Sequence, residues 1–128
     1  HTTKINFEQG VKNFDIDDEC ACGNLEVVKY LFRKHEGYSI EAIENACVSG
    51  NLDLVKYLLE EQKVVYSSRA MLNACVCRHG HIVKYLIDEK KYKFSPYDLK
   101  MARMYGDYKI VDILLKRINC MDKDATSG

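Results

Sequence analysis

Residues 50–61 read Gly-Asn-Leu-Asp-Leu-Val-Lys-Tyr-Leu-Leu-Glu-Glu, and close copies of this stretch occur on both sides at nearly constant distance. The copies begin at Gly23, at Gly80 and, more loosely, at Gly106. They share a valine, found as Val28, Val55, Val83 and Val111, so the spacing is constant to within one position. A fixed period of this size is typical of proteins built from stacked repeats, in which each repeat buries its apolar face against its neighbours.

Length and composition are those of one folded domain. The chain has 128 residues, of which 47% are hydrophobic and 30% are charged, so it has too much apolar content to remain disordered. No apolar run reaches the roughly 18 residues of a membrane-spanning helix, and no signal segment opens the sequence. We therefore expect an intracellular, cytoplasmic protein whose six cysteines are reduced thiols.

The charges cancel over the whole chain but not along it. Nineteen basic and nineteen acidic residues give no net charge, which disfavours nucleic acid and anionic membranes as partners. Residues 12–38 and 39–66 are each acidic, with four basic against six acidic and two basic against five acidic residues. Residues 67–94 are basic, with six basic against two acidic residues.

Three of the repeats begin alike, with a serine that follows an aromatic residue. The serines recur at constant spacing as Ser39, Ser67 and Ser95. Serine is a favoured helix N-cap because its side-chain oxygen accepts a hydrogen bond from a backbone N–H of the first turn. The preceding aromatics (Tyr38, Tyr66, Phe94) and the fourth helical residues (Ile43, Met71, Leu99) then stand at the positions of a hydrophobic staple. The sequence therefore predicts a helix start after each serine.

A glycine turn should join the two helices of each repeat. Gly50 and Gly106 are expected to end the first helices in the left-handed conformation, which glycine adopts without steric cost. In the third repeat Arg78 falls at the glycine position and Gly80 follows, so a shift of the turn by two residues is expected there. The second helix carries a stripe typical of one buried helical face, formed by Leu54, Val55, Leu58 and Leu59.

At residues 46–59 the sequence Ala-Cys-x-x-Gly-Asn-Leu-Asp-Leu-Val-Lys-Tyr-Leu-Leu resembles the ankyrin repeat. The resemblance implies an all-α, ankyrin-like solenoid of stacked helix-turn-helix repeats. The family's period is about 33 residues, so the shorter period here predicts truncated hairpin loops with little or no strand. The expected organisation is an N-terminal tail or partial repeat (1–11), one repeat domain (12–122, with repeats 12–38, 39–66, 67–94 and 95–122) and a C-terminal tail (123–128).

The resemblance also implies where a partner would bind. In ankyrin repeats the two residues before the turn glycine lie on the inner, concave side, where targets are often recognised. The corresponding candidates here are Ala21, Cys22, Val48, Ser49, Val76, Cys77, Met104 and Tyr105. Their apolar character suits an interface with another polypeptide. Burial of these side chains against one another is the alternative, and the sequence leaves both open.

The sequence contains few patterns that are typical of a catalytic or metal site. Cys75-x-Cys77-x-His79-x-His81 contains zinc-binding residue types, but Cys75 aligns with Cys20 and Cys47 at a buried packing position, which explains it without a metal. The basic run at 90–93 is best explained as a solvated loop. We therefore expect a monomeric, non-enzymatic module with no cofactor and no catalytic or metal site, which binds another protein. The alternatives are a structural spacer in a longer array and a metal-binding or catalytic accessory domain.

Overall fold

The computed structural model describes residues 15–127, with side chains up to residue 120. Every regular element within this range is helical. None of these helices is both long and apolar enough to span a membrane. The tail or partial repeat expected at 1–11 lies outside the described residues.

Each repeat contributes a helix pair. The first helices are α1 (Ile16–Cys22), α3 (Glu41–Ser49), α5 (Ser68–Val76) and α7 (Pro96–Tyr105). The second helices are α2 (Leu25–Arg33), α4 (Leu52–Lys56), α6 (Gly80–Lys84) and α8 (Tyr108–Ser127). Helices α4 and α6 continue directly as π-helical segments, Tyr57–Glu61 and Tyr85–Glu89. Helix α8 runs past residue 122, at which the sequence predicted the end of the last repeat.

The chain divides into two compact units, one ending at Ala70 and one beginning at Met71. In the N-terminal unit α1 packs against α2 and α3, and α3 packs against α4. Its core includes Leu31, Ile43, Leu54 and Leu58, all of which are buried. In the C-terminal unit α8 packs against α6 and α7. Its core includes Met71, Ile82, Leu86, Ile110 and Leu114.

Ser67 and Ser95 directly precede α5 and α7 as predicted, whereas Ser39 stands one position before Ile40, the N-cap residue of α3. The Oγ atoms of Ser39 and Ser67 each accept a hydrogen bond from the backbone N–H two residues later, at 3.1 and 3.2 Å. Ser95 accepts from the N–H of Asp98 at 3.2 Å, and the Asp98 carboxylate accepts from the N–H of Ser95 at 2.9 Å. This reciprocal pair is a capping box, which satisfies two N–H groups that the helix itself leaves unpaired.

The turn of the third repeat does not shift, so that prediction is wrong. Gly23 and Gly50 take the left-handed conformation at φ 73° and 83°, and Arg78 takes it as well at φ 66°. The conformation costs a non-glycine residue roughly 1–2 kcal/mol. Arg78 Nε donates to the carbonyl oxygen of Tyr105 at 3.2 Å, which helps to hold the residue in place. Helix α6 consequently begins at Gly80, one full repeat period after Leu52, the first residue of α4.

Gly106 was also expected to take the left-handed conformation, and this prediction is wrong. Its φ of −82° and ψ of −150° are those of extended backbone. A Cβ at this position would lie 2.7 Å from the carbonyl oxygen of Cys75 and 2.8 Å from that of Ala102. Glycine is therefore required here by close packing of backbone on backbone, and not by the sign of φ.

The connectors between repeats are turns without strands. Each contains a basic residue in the left-handed conformation, and these residues, His35, Lys63 and Lys91, recur at the repeat period. In the first connector the N–H of His35 bonds to the carbonyl of Phe32 and that of Glu36 to Leu31, at 3.0 and 3.1 Å. These two bonds form a Schellman motif, which closes the helix end.

The next two connectors are closed over one more residue. The N–H of Val64 reaches the carbonyl of Leu58, and that of Tyr92 reaches Leu86, each at 3.0 Å. The π-helical segments before them contain the additional residue, since a π-turn holds one residue more than an α-turn. This explains why the step from Val28 to Val55 is one position shorter than the steps that follow it.

Candidate functional site

In the N-terminal unit the residues that precede the turns differ in exposure. Ala21, Cys22 and Val48 are exposed, whereas Ser49 is half-buried. The Ser49 hydroxyl donates to the carbonyl oxygen of Ala46 at 2.7 Å and accepts from the N–H of Asn51 at 3.2 Å. Its side chain is therefore occupied in closing the turn, which leaves Ala21, Cys22 and Val48 as the exposed candidates of this unit.

The two turns of this unit are in direct contact. Asn51 Nδ2 donates to the carbonyl oxygen of Gly23 at 2.9 Å. A Cβ on Gly23 would lie 3.2 Å from the Cβ of Ser49, so a side chain at position 23 would crowd the neighbouring turn. These contacts fix the backbone that carries Cys22 and Val48.

In the C-terminal unit the last repeat presents the larger side chains. Val76 and Cys77 are half-buried, whereas Met104 and Tyr105 are 58% and 53% exposed. The bond from Arg78 to the Tyr105 carbonyl and the contact of Gly106 with Cys75 hold the Tyr105 backbone against the preceding turn. The exposed Tyr105 side chain thus extends from a backbone that these contacts hold in place.

Tyr108 is a further exposed aromatic residue close to the last turn in sequence, and it was not predicted. It is 79% exposed at the start of α8, immediately after the last turn. The aligned residues in the first two repeats, Leu25 and Leu52, are half-buried leucines. The aromatic residue in place of leucine was the signal that could have identified it.

Two of the buried cysteines are chemically inert. Burial, and to a lesser degree nearby carboxylates such as Asp17 for Cys20 and Asp98 for Cys75, raise the pKa of both thiols to about 12. A thiol with this pKa stays protonated at neutral pH, whereas nucleophiles and metal ligands are thiolates. These two residues therefore serve packing.

The structure does not bring the residues of the candidate metal motif together as a metal site. Cys75 lies buried in α5, and His79 is the N-cap residue of α6. The rings of His79 and His81 meet edge to face with centroids 6.0 Å apart. Within the part of the chain that the structure describes, no three His, Cys, Asp or Glu side chains are grouped to hold a metal ion.

Comparison with known proteins agrees with this architecture. The family model described as ankyrin repeats (3 copies) matches residues 19–98 and 43–124, which together cover most of the chain. Comparisons with curated proteins and with solved structures gave no match. Together with the helical described residues, the family match gives the fold as an all-α, ankyrin-like solenoid. Members of this family generally mediate protein–protein interaction and are typically non-catalytic. The chain belongs to the ankyrin repeat family.

Proposed function

We propose that this chain is a non-catalytic module that binds another polypeptide through the exposed residues before its helix turns. The observation that carries the proposal is the exposure of Met104 and Tyr105 on a backbone held by hydrogen bonds and close packing. In the N-terminal unit Cys22 and Val48 offer a smaller apolar surface in the same position of the repeat.

The composition of this surface suits protein recognition. Aromatic residues and methionine are enriched in protein interfaces, and tyrosine is common among the residues that contribute most of the binding energy. A tyrosine on a fixed backbone loses little conformational freedom on binding, which reduces the entropic cost of association. We therefore assign the principal anchors to Tyr105 and Tyr108, with Met104 beside them.

The test compares two tyrosines of similar exposure on the same helix. Tyr105 ends α7 and is 53% exposed, while Tyr97 near its start is 55% exposed. The wild-type chain, Tyr105→Asp and Tyr97→Asp are each used for affinity capture from a lysate of the source cell, followed by mass spectrometry. We expect the captured polypeptide to be lost with Tyr105→Asp and retained with Tyr97→Asp.

Circular dichroism and thermal melting of the same variants separate binding from folding. Unchanged helical content for Tyr105→Asp and for a second variant, Val48→Asp, accompanies loss of the partner if the proposal holds. Unfolding of these variants would instead show that the side chains serve internal packing. Equal capture by Tyr105→Asp and Tyr97→Asp would place the interface elsewhere.

A structural spacer within a longer array is the second candidate, and burial in the last repeat favours it. Val55 and Val83 are fully buried, but the aligned Val111 is only half-buried. Leu115 is 37% exposed, whereas its counterparts Leu59 and Ile87 are buried. Further Gly-Asn-Leu copies in the coding sequence after this chain would support the spacer, because another repeat would then cover that face.

A further inference from the structure

An open groove lies in the C-terminal unit beside the start of α7. It encloses about 310 Å³ and has an apolar floor formed by Phe94, Leu99 and Ile118. Phe94, Leu99 and Ile118 are each half-buried, so the floor still meets solvent. This volume lies at the lower end of the range for ligand pockets, roughly 300–1,000 Å³. The groove can therefore accept one large apolar side chain.

Positive charge surrounds this floor. Lys91, Lys93 and Arg117 all line the groove. The two lysines are exposed and the arginine is half-buried. Nearby lysines on exposed helix faces pair with carboxylates, as Lys84 does with Asp88 at 2.8 Å. Among the side chains that the structure describes, those of residues 15–120, no carboxylate pairs with the three cations of the groove.

The N-terminal unit contains a groove at the equivalent position of its repeat. The two grooves share an apolar lining and differ in the charge around it. That groove encloses about 430 Å³ and is lined by Tyr38, Ile40 and Ile43 in the positions of Phe94, Pro96 and Leu99. Its other described lining residues are Ser39, Val64 and Val65, so none of the described side chains that line it is charged. The repeat thus forms an apolar groove in both units. Of these two grooves, the one beside α7 is lined by cations.

We propose that the groove beside α7 binds an acidic peptide segment of a partner protein, which inserts one aromatic or large aliphatic side chain. Carboxylates on either side of the inserted residue pair with Lys93 and Arg117, while the inserted side chain covers Phe94 and Leu99. An apolar floor with a cationic rim matches this ligand better than a nucleic acid, whose continuous phosphate backbone would leave the floor uncovered. The site uses none of the residues that precede the turns, so it is independent of the proposed function.

A defined peptide tests the proposal directly on the whole chain. The probe is a fluorescein-labelled hexapeptide, Asp-Glu-Asp-Phe-Glu-Asp, and binding is followed by fluorescence anisotropy. The double variant Lys93→Glu with Arg117→Glu is compared with Lys100→Glu with Lys109→Glu, which makes the same change in net charge at two exposed lysines of α7 and α8. We expect the groove variant to bind about tenfold more weakly, as two lost ion pairs imply, and the control to stay within about twofold of wild type.

Peptide variants examine the apolar contact without altering the protein. Replacing the phenylalanine of the probe by glycine should weaken binding about tenfold, because the floor is then left uncovered, and a charge-reversed Lys-Arg-Lys-Phe-Arg-Lys peptide should not bind. Equal weakening by the two charge variants, or equal affinity for the glycine peptide, would overturn the proposal. Self-association that depends on Lys93 and Arg117, without peptide binding, would also overturn it by showing that a second copy fills the groove.

Discussion

Asn51 Nδ2 donates a hydrogen bond to the carbonyl oxygen of Gly23 in the preceding repeat, while Asn51 Oδ1 accepts one from the N–H of Leu54. The two bonds measure 2.9 and 3.1 Å. One side chain therefore caps α4 and joins it to the turn of the preceding repeat. His79, at the same position of the third repeat, makes no side-chain cap bond.

The two roles of Asn51 can be separated by substitution. Asn51→Ala removes both bonds and should lower the free energy of unfolding by about 1–3 kcal/mol. Asn51→Asp keeps an acceptor for Leu54 but has no donor for Gly23, so about 1 kcal/mol of loss is expected. Urea denaturation followed by circular dichroism measures both values. Wild-type stability in Asn51→Asp would show that the bond to Gly23 contributes nothing.

Gly106 and Gly37, two of the glycines that are not left-handed, should respond differently to a methyl group. Gly106→Ala places a Cβ against two carbonyl oxygens at 2.7 and 2.8 Å, and we expect a loss of about 1–3 kcal/mol from the resulting backbone shift. Gly37→Ala meets nothing within 4 Å, and the change in stability should stay within about 0.5 kcal/mol. Thermal melting of both variants provides the comparison. Equal melting temperatures would contradict the close approach at Gly106.

Leu58 lies fully buried at the start of the π-helical segment of the second repeat. Leu58→Ala should lower the free energy of unfolding by about 2–5 kcal/mol, because it leaves a cavity in a thin core. Val65→Ala, at an exposed position of the next connector, is the matched surface control and should change stability by less than about 0.5 kcal/mol. A loss below about 1 kcal/mol for Leu58→Ala would contradict its place in the core.

The buried thiols should make the protein less stable in alkali. Burial holds the pKa of Cys75 at about 12, against an ordinary value of 9.0, so the thiol keeps its proton in the folded chain while the unfolded chain releases it above pH 9. Stability from this group is complete below pH 9 and falls as pH rises toward 12, by about 1 kcal/mol per pH unit. Urea titrations at pH 8, 9 and 10 measure the slope.

Cysteine variants test whether the Cys75 thiol causes this loss of stability with rising pH. Cys75→Ala should reduce the loss of stability between pH 9 and 10, whereas Cys120→Ala, at an exposed position, should leave it unchanged. Tyrosines and lysines titrate in the same range, so the difference between the two variants is the informative quantity. An unchanged slope in Cys75→Ala would show that the buried thiol does not contribute.

Local signals predicted the fold well because they act within a few residues. The serines before three of the four first helices accept from N–H groups of the next turn, so the roles of Ser39, Ser67 and Ser95 were predictable. The bonds that the hydroxyls of Ser39 and Ser67 donate to Asp17 and Glu44 of the preceding repeat were not. Arg78 and Gly106 were not, because their conformations are set by contacts with the turn of an adjoining repeat, which is distant along the chain. Rules for single residues rank glycine above arginine for positive φ, but packing of the repeat reverses that ranking here.

Alignment of the repeats identified the positions of the candidate site residues. It did not predict which of their side chains are exposed. Ser49 stands at an aligned position, yet its hydroxyl bonds within its own turn. Val76 and Cys77 are half-buried and Tyr105 is exposed, although all three precede a turn. Exposure depends on which side chains the adjoining repeat contributes, and a one-dimensional pattern does not contain that information. The partner-binding residues therefore remain a proposal.

The π-helical segments at Tyr57–Glu61 and Tyr85–Glu89 have a consequence for how such a chain can evolve. The small difference in length between the first repeat and the later ones is absorbed at the end of the second helix, and the connectors retain a left-handed residue at His35, Lys63 and Lys91. A repeat that is one residue longer or shorter can therefore stack on its neighbours with the same helix packing, because the π-turn takes up the additional residue. Arrays of this kind can be assembled from repeats of unlike length.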